Sequence, residues 1–245
     1  MTVVSGTYFS KILNRKKHFT AVLPNEPKDT DRGSLTLLHG VQGDDTDWIC
    51  HVDLESLSDQ YGIAFLCPSA ENSFYTDHAN GDQFGEALGV EFYDKVHDLF
   101  SLTRTRAVNG IAGLSMGGYG ALRLGFKYHN QFSYIGAFSP ALIFYKRHRN
   151  DPVFKKVFSL GLEGTENDVN MLFDRLTDDE RPEIRLACGD RDPLNHYTQE
   201  LYHFLKERHA DVQYVQNDGF HDFTLWKQDL IRFLKQHFEK EQEEL

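Results

Sequence analysis

Apolar residues recur along this chain in two rhythms, and their alternation sets out the architecture. Short runs that are apolar on successive residues, SLTLLHG (34–40), IAFLCPS (63–69), AVNGIAG (107–113), SYIGAFS (133–139), EIRLACG (183–189) and DVQYVQN (211–217), have the length and composition of strands. Between them lie stretches with helical spacing, at 47–60, 84–100, 116–129, 195–209 and 221–238. The last sets Phe223, Trp226, Leu230, Phe233 and Phe238 near one face. Strands apolar on both faces and separated by helices predict an α/β architecture, a mostly parallel sheet covered on both sides. The first 30 residues differ: TYFSKILNRKKHFTAVLP reads as two strands about a polar turn, an antiparallel hairpin at a sheet edge. No repeat or linker divides the chain, so a single domain over 1–245 is expected. One irregular insertion, about 140–180, predicts a small cap over the strand ends.

Composition narrows the functions open to such a fold. The 245 residues can bury a core that needs no covalent staple, and a formal net charge of −11 argues against nucleic acid or an anionic membrane as partner. The basic cluster YKRHR (145–149), with Lys155 and Lys156, reads as a solvated face of the cap. The N-terminus lacks the pattern of a secretory signal, and no apolar run approaches the length of a membrane span. Cys50, Cys67 and Cys188 form an odd set without paired spacing, which predicts buried reduced thiols in a cytoplasmic protein and no metal site.

The chemistry concentrates in VNGIAGLSMGGYGALRLGF (108–126). Gly113, Leu114, Ser115, Met116 and Gly117 form G-x-S-x-G between a predicted strand and a predicted helix, a setting in which a sharp turn thrusts a serine hydroxyl out of the backbone. Such a nucleophile needs a base and an acid that orients the base. His221 follows the last strand and is the expected base. Asp190 and Asp192 both follow the strand at 183–189, and the chemistry alone leaves either open as the acid. An oxyanion hole requires two backbone N–H groups, expected from Met116 after the nucleophile and from Val41 in LLHGVQGDDTDW (37–48); His39 is read as holding the shape of that loop.

The order Ser, Asp, His is that of the α/β-hydrolases. Together, LLHG…DDTDW, GLSMGGYGA, ACGDRDPL and GFHDFTLWK resemble the esterase D-like branch of that fold, of the tributyrin esterase type with its related feruloyl and acetyl-xylan esterases. The resemblance spans nearly the whole chain. It implies a serine carboxylic-ester hydrolase for short acyl groups, without cofactor, with Ser115, Asp192 and His221 as its triad; the family's G-x-x-D pattern selects Asp192 in GDRD. It also suggests Phe74 and Tyr75, in SAENSFYTD (69–77), as substrate contacts, with packing beneath a loop as the alternative; Trp48 is a further candidate contact. S-formylglutathione hydrolases are similar around the serine, but their oxyanion loop reads G-L-T-C where this chain has HGVQGDD. A thioesterase, an acyltransferase and a noncatalytic binding protein are the alternatives. The expected partner is a small ester, and the cap residues Phe144, Tyr145 and Phe154 suit either a pocket or an interface between copies in a homo-oligomer.

Overall fold

A computed structural model describes residues 2–25, 33–78, 81–142, 157 and 165–238. Eight strands form one sheet: β1 (Thr2–Ser10), β2 (Arg15–Leu23), β3 (Ser34–Leu38), β4 (Ala64–Pro68), β5 (Asn109–Leu114), β6 (Tyr134–Phe138), β7 (Glu183–Gly189) and β8 (Val212–Asn217), in the spatial order β1-β2-β4-β3-β5-β6-β7-β8. The expected hairpin is present at one edge, with Ser10 opposite Arg15, and β2 runs antiparallel to β4. Every pairing from β4 through β3 to β8 is parallel. The central strands β3 to β6 are buried at every position, which is why they read as unbroken apolar runs.

Side chains of successive strand residues alternate between two cores. Ile111, Ile135, Ala137, Ile184 and Leu186 face one side, packed with α5 (Met116–Lys127), α6 (Val169–Asp174) and α7 (Asn195–Glu207). Leu35, Leu37, Phe65, Ala112, Leu114 and Phe138 face the other, against α1 (Asp47–His51), α2 (Leu54–Tyr61) and α8 (Phe223–Phe238). The apolar stripe foreseen on the last helix is real: Trp226, Leu230 and Phe233 are buried.

Two predicted helices depart from the expectation. The stretch 47–60 is two helices, because Val52 is extended and Asp53 caps a new start, its carboxylate accepting from Ser56 N at 3.1 Å. The stretch 84–100 begins as a single turn, α3 (Phe84–Glu86), widens to a π-helical segment (Ala87–Phe92) and ends as α4 (Tyr93–Phe100). Most of the proposed cap, 143–156 and 158–164, with Phe144, Tyr145, Phe154, Lys155, Lys156 and the basic cluster, lies outside the described residues; within it Leu142 and Val157 are described and buried. All three cysteines are free, Cys67 and Cys188 buried as expected but Cys50 exposed. Among the described residues no helix is long and apolar enough to cross a membrane.

Candidate active site

Because β3 and β5 to β8 are parallel, the loops after Leu38, Leu114, Phe138, Gly189 and Asn217 all emerge at one end of the sheet. The chain leaves β3 towards β4 on one side and returns to β5 on the other, so this end is also where strand order reverses, the place at which open α/β sheets form a crevice.

Ser115 sits at that crevice between β5 and α5 with φ 52° and ψ −116°, a conformation costly for a residue with a Cβ. The surroundings hold it there. Its N–H donates to the Phe138 carbonyl at 2.9 Å, and its own carbonyl accepts from Tyr119 N at 3.1 Å and Ala141 N at 2.9 Å. The flanking glycines explain themselves sterically: a Cβ on Gly117 would lie 2.3 Å from the Leu38 carbonyl oxygen, and one on Gly113 2.3 Å from that of Gly117. Helix and strand meet backbone to backbone, which leaves no room for a side chain.

The three residues selected from the sequence converge. His221 Nε2 is 3.0 Å from Ser115 Oγ, and His221 Nδ1 is 2.8 Å from Asp192 Oδ2. An ionised carboxylate can only accept, so Nδ1 carries the proton and Nε2 is left to accept from the serine hydroxyl. Asp192 is buried, which by itself raises its pKa; hydrogen bonds from His221, Ser139 and Leu194 N outweigh that and hold it below the usual carboxylate range. Asp190, the alternative acid, points elsewhere: its Oδ1 accepts from Gly219 N at 3.0 Å, tying the loop after β7 to the loop after β8.

The loop after β3 runs beside the serine, since a Cβ on Gly40 would stand 3.6 Å from the Ser115 Cβ. His39 determines how that loop presents itself. Ala70 N donates to His39 Nε2 at 2.9 Å, so the proton is on Nδ1, which donates to the Gly40 carbonyl at 2.7 Å. Burial lowers the His39 pKa and keeps the ring neutral. Gly43 N also donates to the Gly40 carbonyl. With that oxygen held on one side of a trans peptide, the Val41 N–H is turned to the other. Met116 begins α5, where N–H groups have no partner within the helix.

The suggested substrate contacts, Trp48, Phe74 and Tyr75, are buried. Trp48 is 1% exposed, its ring edge-on to Phe138 and Phe223, and its Nε1–H donates to the Leu38 carbonyl at 3.1 Å. Tyr75 is fully buried and donates its hydroxyl to the His39 carbonyl at 2.8 Å, while its own carbonyl accepts from the buried Arg123 guanidinium at 2.9 Å. Phe74 packs edge-on to Tyr119. These aromatics lie beneath the site and brace its backbone; an amphipathic ring satisfies a buried carbonyl as readily as it binds a ligand. The sequence reading missed Ser139 and Trp226, which touch the acid and the base. Only their places, a serine ending a strand and a tryptophan in the first turns of a helix that follows the base, hinted at them.

Known proteins share this arrangement of chain. The sequence is 36% identical over 250 residues to an acetyl esterase of Caldicellulosiruptor saccharolyticus, covering 92% of this chain and 94% of that one. The fold superposes on a fluorophosphonate-binding serine hydrolase of Staphylococcus aureus with a TM-score of 0.88 at 25% identity, over 97% of this chain and 98% of the other. An S-formylglutathione hydrolase of the same organism superposes with a TM-score of 0.86 at 25% identity, with the same coverage of both chains. The profile described as putative esterase matches residues 10–237, nearly the full length that carries the sheet and the serine, aspartate and histidine at its end, and the chain belongs to that esterase family, an α/β-hydrolase and carboxylesterase.

Proposed function

We propose that this enzyme hydrolyses short-chain carboxylic esters through an acyl-enzyme on Ser115. The observation that carries the reading is the continuous relay from Ser115 Oγ to His221 Nε2 at 3.0 Å and from His221 Nδ1 to Asp192 at 2.8 Å. Ser115 Oγ attacks the ester carbonyl as His221 takes its proton, and Asp192 stabilises the resulting imidazolium. The N–H groups of Val41 and Met116 receive the charge that develops on the carbonyl oxygen. Collapse breaks the bond to the alcohol, which leaves with the proton held on His221. Water then attacks the acyl carbon, gives a proton to His221, and the acid departs as Ser115 recovers its hydrogen. The chemistry uses side chains and backbone alone. Similarity to an acetyl esterase supports a small acyl group. Similarity to an S-formylglutathione hydrolase makes thioester hydrolysis the second reading.

An organophosphonate should label one residue, Ser115, as read by intact mass and peptide mapping. Ser115→Ala and His221→Ala should each lower kcat by roughly 10⁴-fold or more, with the double variant little worse because the groups act as a unit. Labelling at another residue would overturn the assignment. Across p-nitrophenyl esters, kcat/KM should peak between acetyl and butyryl and exceed that for S-formylglutathione; a rate that keeps rising into long chains would mean a lipid-binding tunnel instead.

A further inference from the structure

The loop after β3 contains a four-residue turn, Gly40 to Gly43, closed by the Gly43 N–H on the Gly40 carbonyl at 3.2 Å. Val41 keeps a negative φ and Gln42 has φ 68°, which makes the turn type II, a form whose third position favours glycine or asparagine. A glutamine there is strained, and both residues of the tip are exposed, so packing does not hold them. A hydrogen bond does. The Gln42 N–H donates to Asn72 Oδ1 at 2.8 Å.

Asn72 lies in the loop after β4 and is itself exposed, but the backbone on either side of it is fixed. Before it, Ala70 N donates to His39 Nε2, and Glu71 Oε1 pairs with the buried Lys17 ammonium at 2.7 Å. After it, the carbonyl of the buried Ser73 accepts from Thr76 N at 3.3 Å, Thr76 Oγ1 at 3.1 Å and His78 Nε2 at 2.9 Å. The asparagine therefore reaches the turn from a braced support. Its contact supplies what the base of the turn lacks. His39 Nδ1 and Gly43 N hold the Gly40 carbonyl, which leaves the turn free to rock about its base. A bond at the tip fixes the plane of the turn, and with it the direction of the Val41 N–H at the outer edge of that plane.

Resting on the oxyanion reading above, we propose that Asn72 is a positioning residue: its side-chain oxygen holds the strained turn 40–43 in the form that aims the Val41 N–H at the developing oxyanion. Without that acceptor, Gln42 relaxes to negative φ as the Val41–Gln42 peptide turns over, and the tip loses its tether. The donor is then present but poorly aimed, a defect felt in the transition state, where the charge resides, more than in substrate binding.

Asn72→Ala removes the acceptor at an exposed position, so the variant should fold with an unchanged circular dichroism spectrum. Its kcat on p-nitrophenyl acetate should fall roughly 3- to 10-fold, the net worth of one hydrogen bond between neutral groups, with KM within about twofold. Asn72→Asp keeps an acceptor in the same place and should recover most of the loss in about 0.15 M salt, where an exposed charge is screened. Trifluoroacetone reports on the oxyanion directly: Ser115 Oγ adds to its carbonyl carbon, His221 takes the hydroxyl proton, and the ketone oxygen becomes an alkoxide facing the two N–H groups. Its inhibition constant should rise in Asn72→Ala by the factor that kcat falls. Wild-type kcat and inhibition constant in folded Asn72→Ala would overturn the proposal. So would a loss confined to KM, which would make Asn72 a substrate contact. Val41→Pro keeps the two readings apart, since proline suits the second position of a type II turn and removes only the N–H. It should lower kcat by roughly 10²-fold or more. A fully active Val41→Pro would sink the oxyanion reading itself, whereas an impaired Val41→Pro beside an unaffected Asn72→Ala removes only the role of Asn72.

Discussion

Tyr75 shows how a single buried side chain can support a site from beneath it. It lies in the segment expected to border substrate, yet its ring fills the space that Gly120 leaves open: a Cβ there would come within 2.3 Å of Tyr75 Cδ2. Its hydroxyl satisfies the His39 carbonyl, one residue from the loop that presents the Val41 N–H. Tyr75 and Phe74 both have positive φ, at 56° and 52°, so the backbone is strained in order to seat the two rings beneath the site. Removal of the hydroxyl in Tyr75→Phe leaves a buried carbonyl without its donor. That should destabilise the protein by about 1–3 kcal/mol in denaturant unfolding. The ratio of kcat/KM for acetyl and butyryl esters should stay as in the wild type; a changed ratio would return Tyr75 to the substrate pocket.

At the scale of elements, the site depends on how closely α5 approaches β3 and β5. Ordinary helix-on-sheet packing passes through side chains, but Gly113 and Gly117 let the first turn of α5 rest on the Leu38 and His39 carbonyls. This proximity brings Ser115, at the helix start, beside the loop after β3. Gly117→Ala would place a methyl 2.3 Å from a main-chain oxygen that cannot swing aside, so the whole helix must shift. We expect a loss of ~3 kcal/mol in stability, near the top of the range for overpacked cores, and a fall in the rate of organophosphonate labelling larger than the unfolded fraction explains. Labelling at the wild-type rate in the folded fraction would show that the contact is not what places the nucleophile.

For the whole molecule, the interface of α8 with the sheet sets a pH dependence distinct from that of the site. Asp229 is buried there, with one oxygen accepting from Asn217 at 2.6 Å and Arg232 at 3.2 Å and the other without a partner among the described residues. Burial raises its pKa to about 7 against the attraction of Arg232. A carboxyl with a raised folded pKa binds protons more tightly in the folded state. Its stabilising contribution is therefore complete below about pH 4 and is lost as pH rises through 7. His39 and His97 act with the opposite sign: burial lowers both, so their contribution is present above the ordinary histidine range and declines as pH falls below about 6.5. Asp229→Asn isolates one group. Its Tm should exceed that of the wild type at pH 8, and the difference should shrink steadily towards pH 5. A difference that is constant with pH would mean that Asp229 does not titrate in this window.

The elements were legible because burial on both faces forces an unbroken apolar run, and the edge hairpin because its two runs flank a polar turn. Ser115 was legible because a positive-φ elbow pressed against two carbonyls requires small neighbours, a demand that appears directly as G-x-S-x-G. His221 was placed by its position after the last strand, and Asp192 was chosen over Asp190 only through resemblance, since two carboxylates two residues apart on one loop look alike until a distance separates them. The break at Val52, the π-helical turn at 87–92 and the roles of Trp48, Tyr75, Ser139 and Trp226 belonged to the tertiary structure. Residues remote in sequence meet there: Ser139 lies 87 positions from Trp226 and Tyr75 36 from His39. Local pattern reports what each segment buries and how it turns; which buried donor finds which buried acceptor is decided only when strands β3 to β8 are laid side by side.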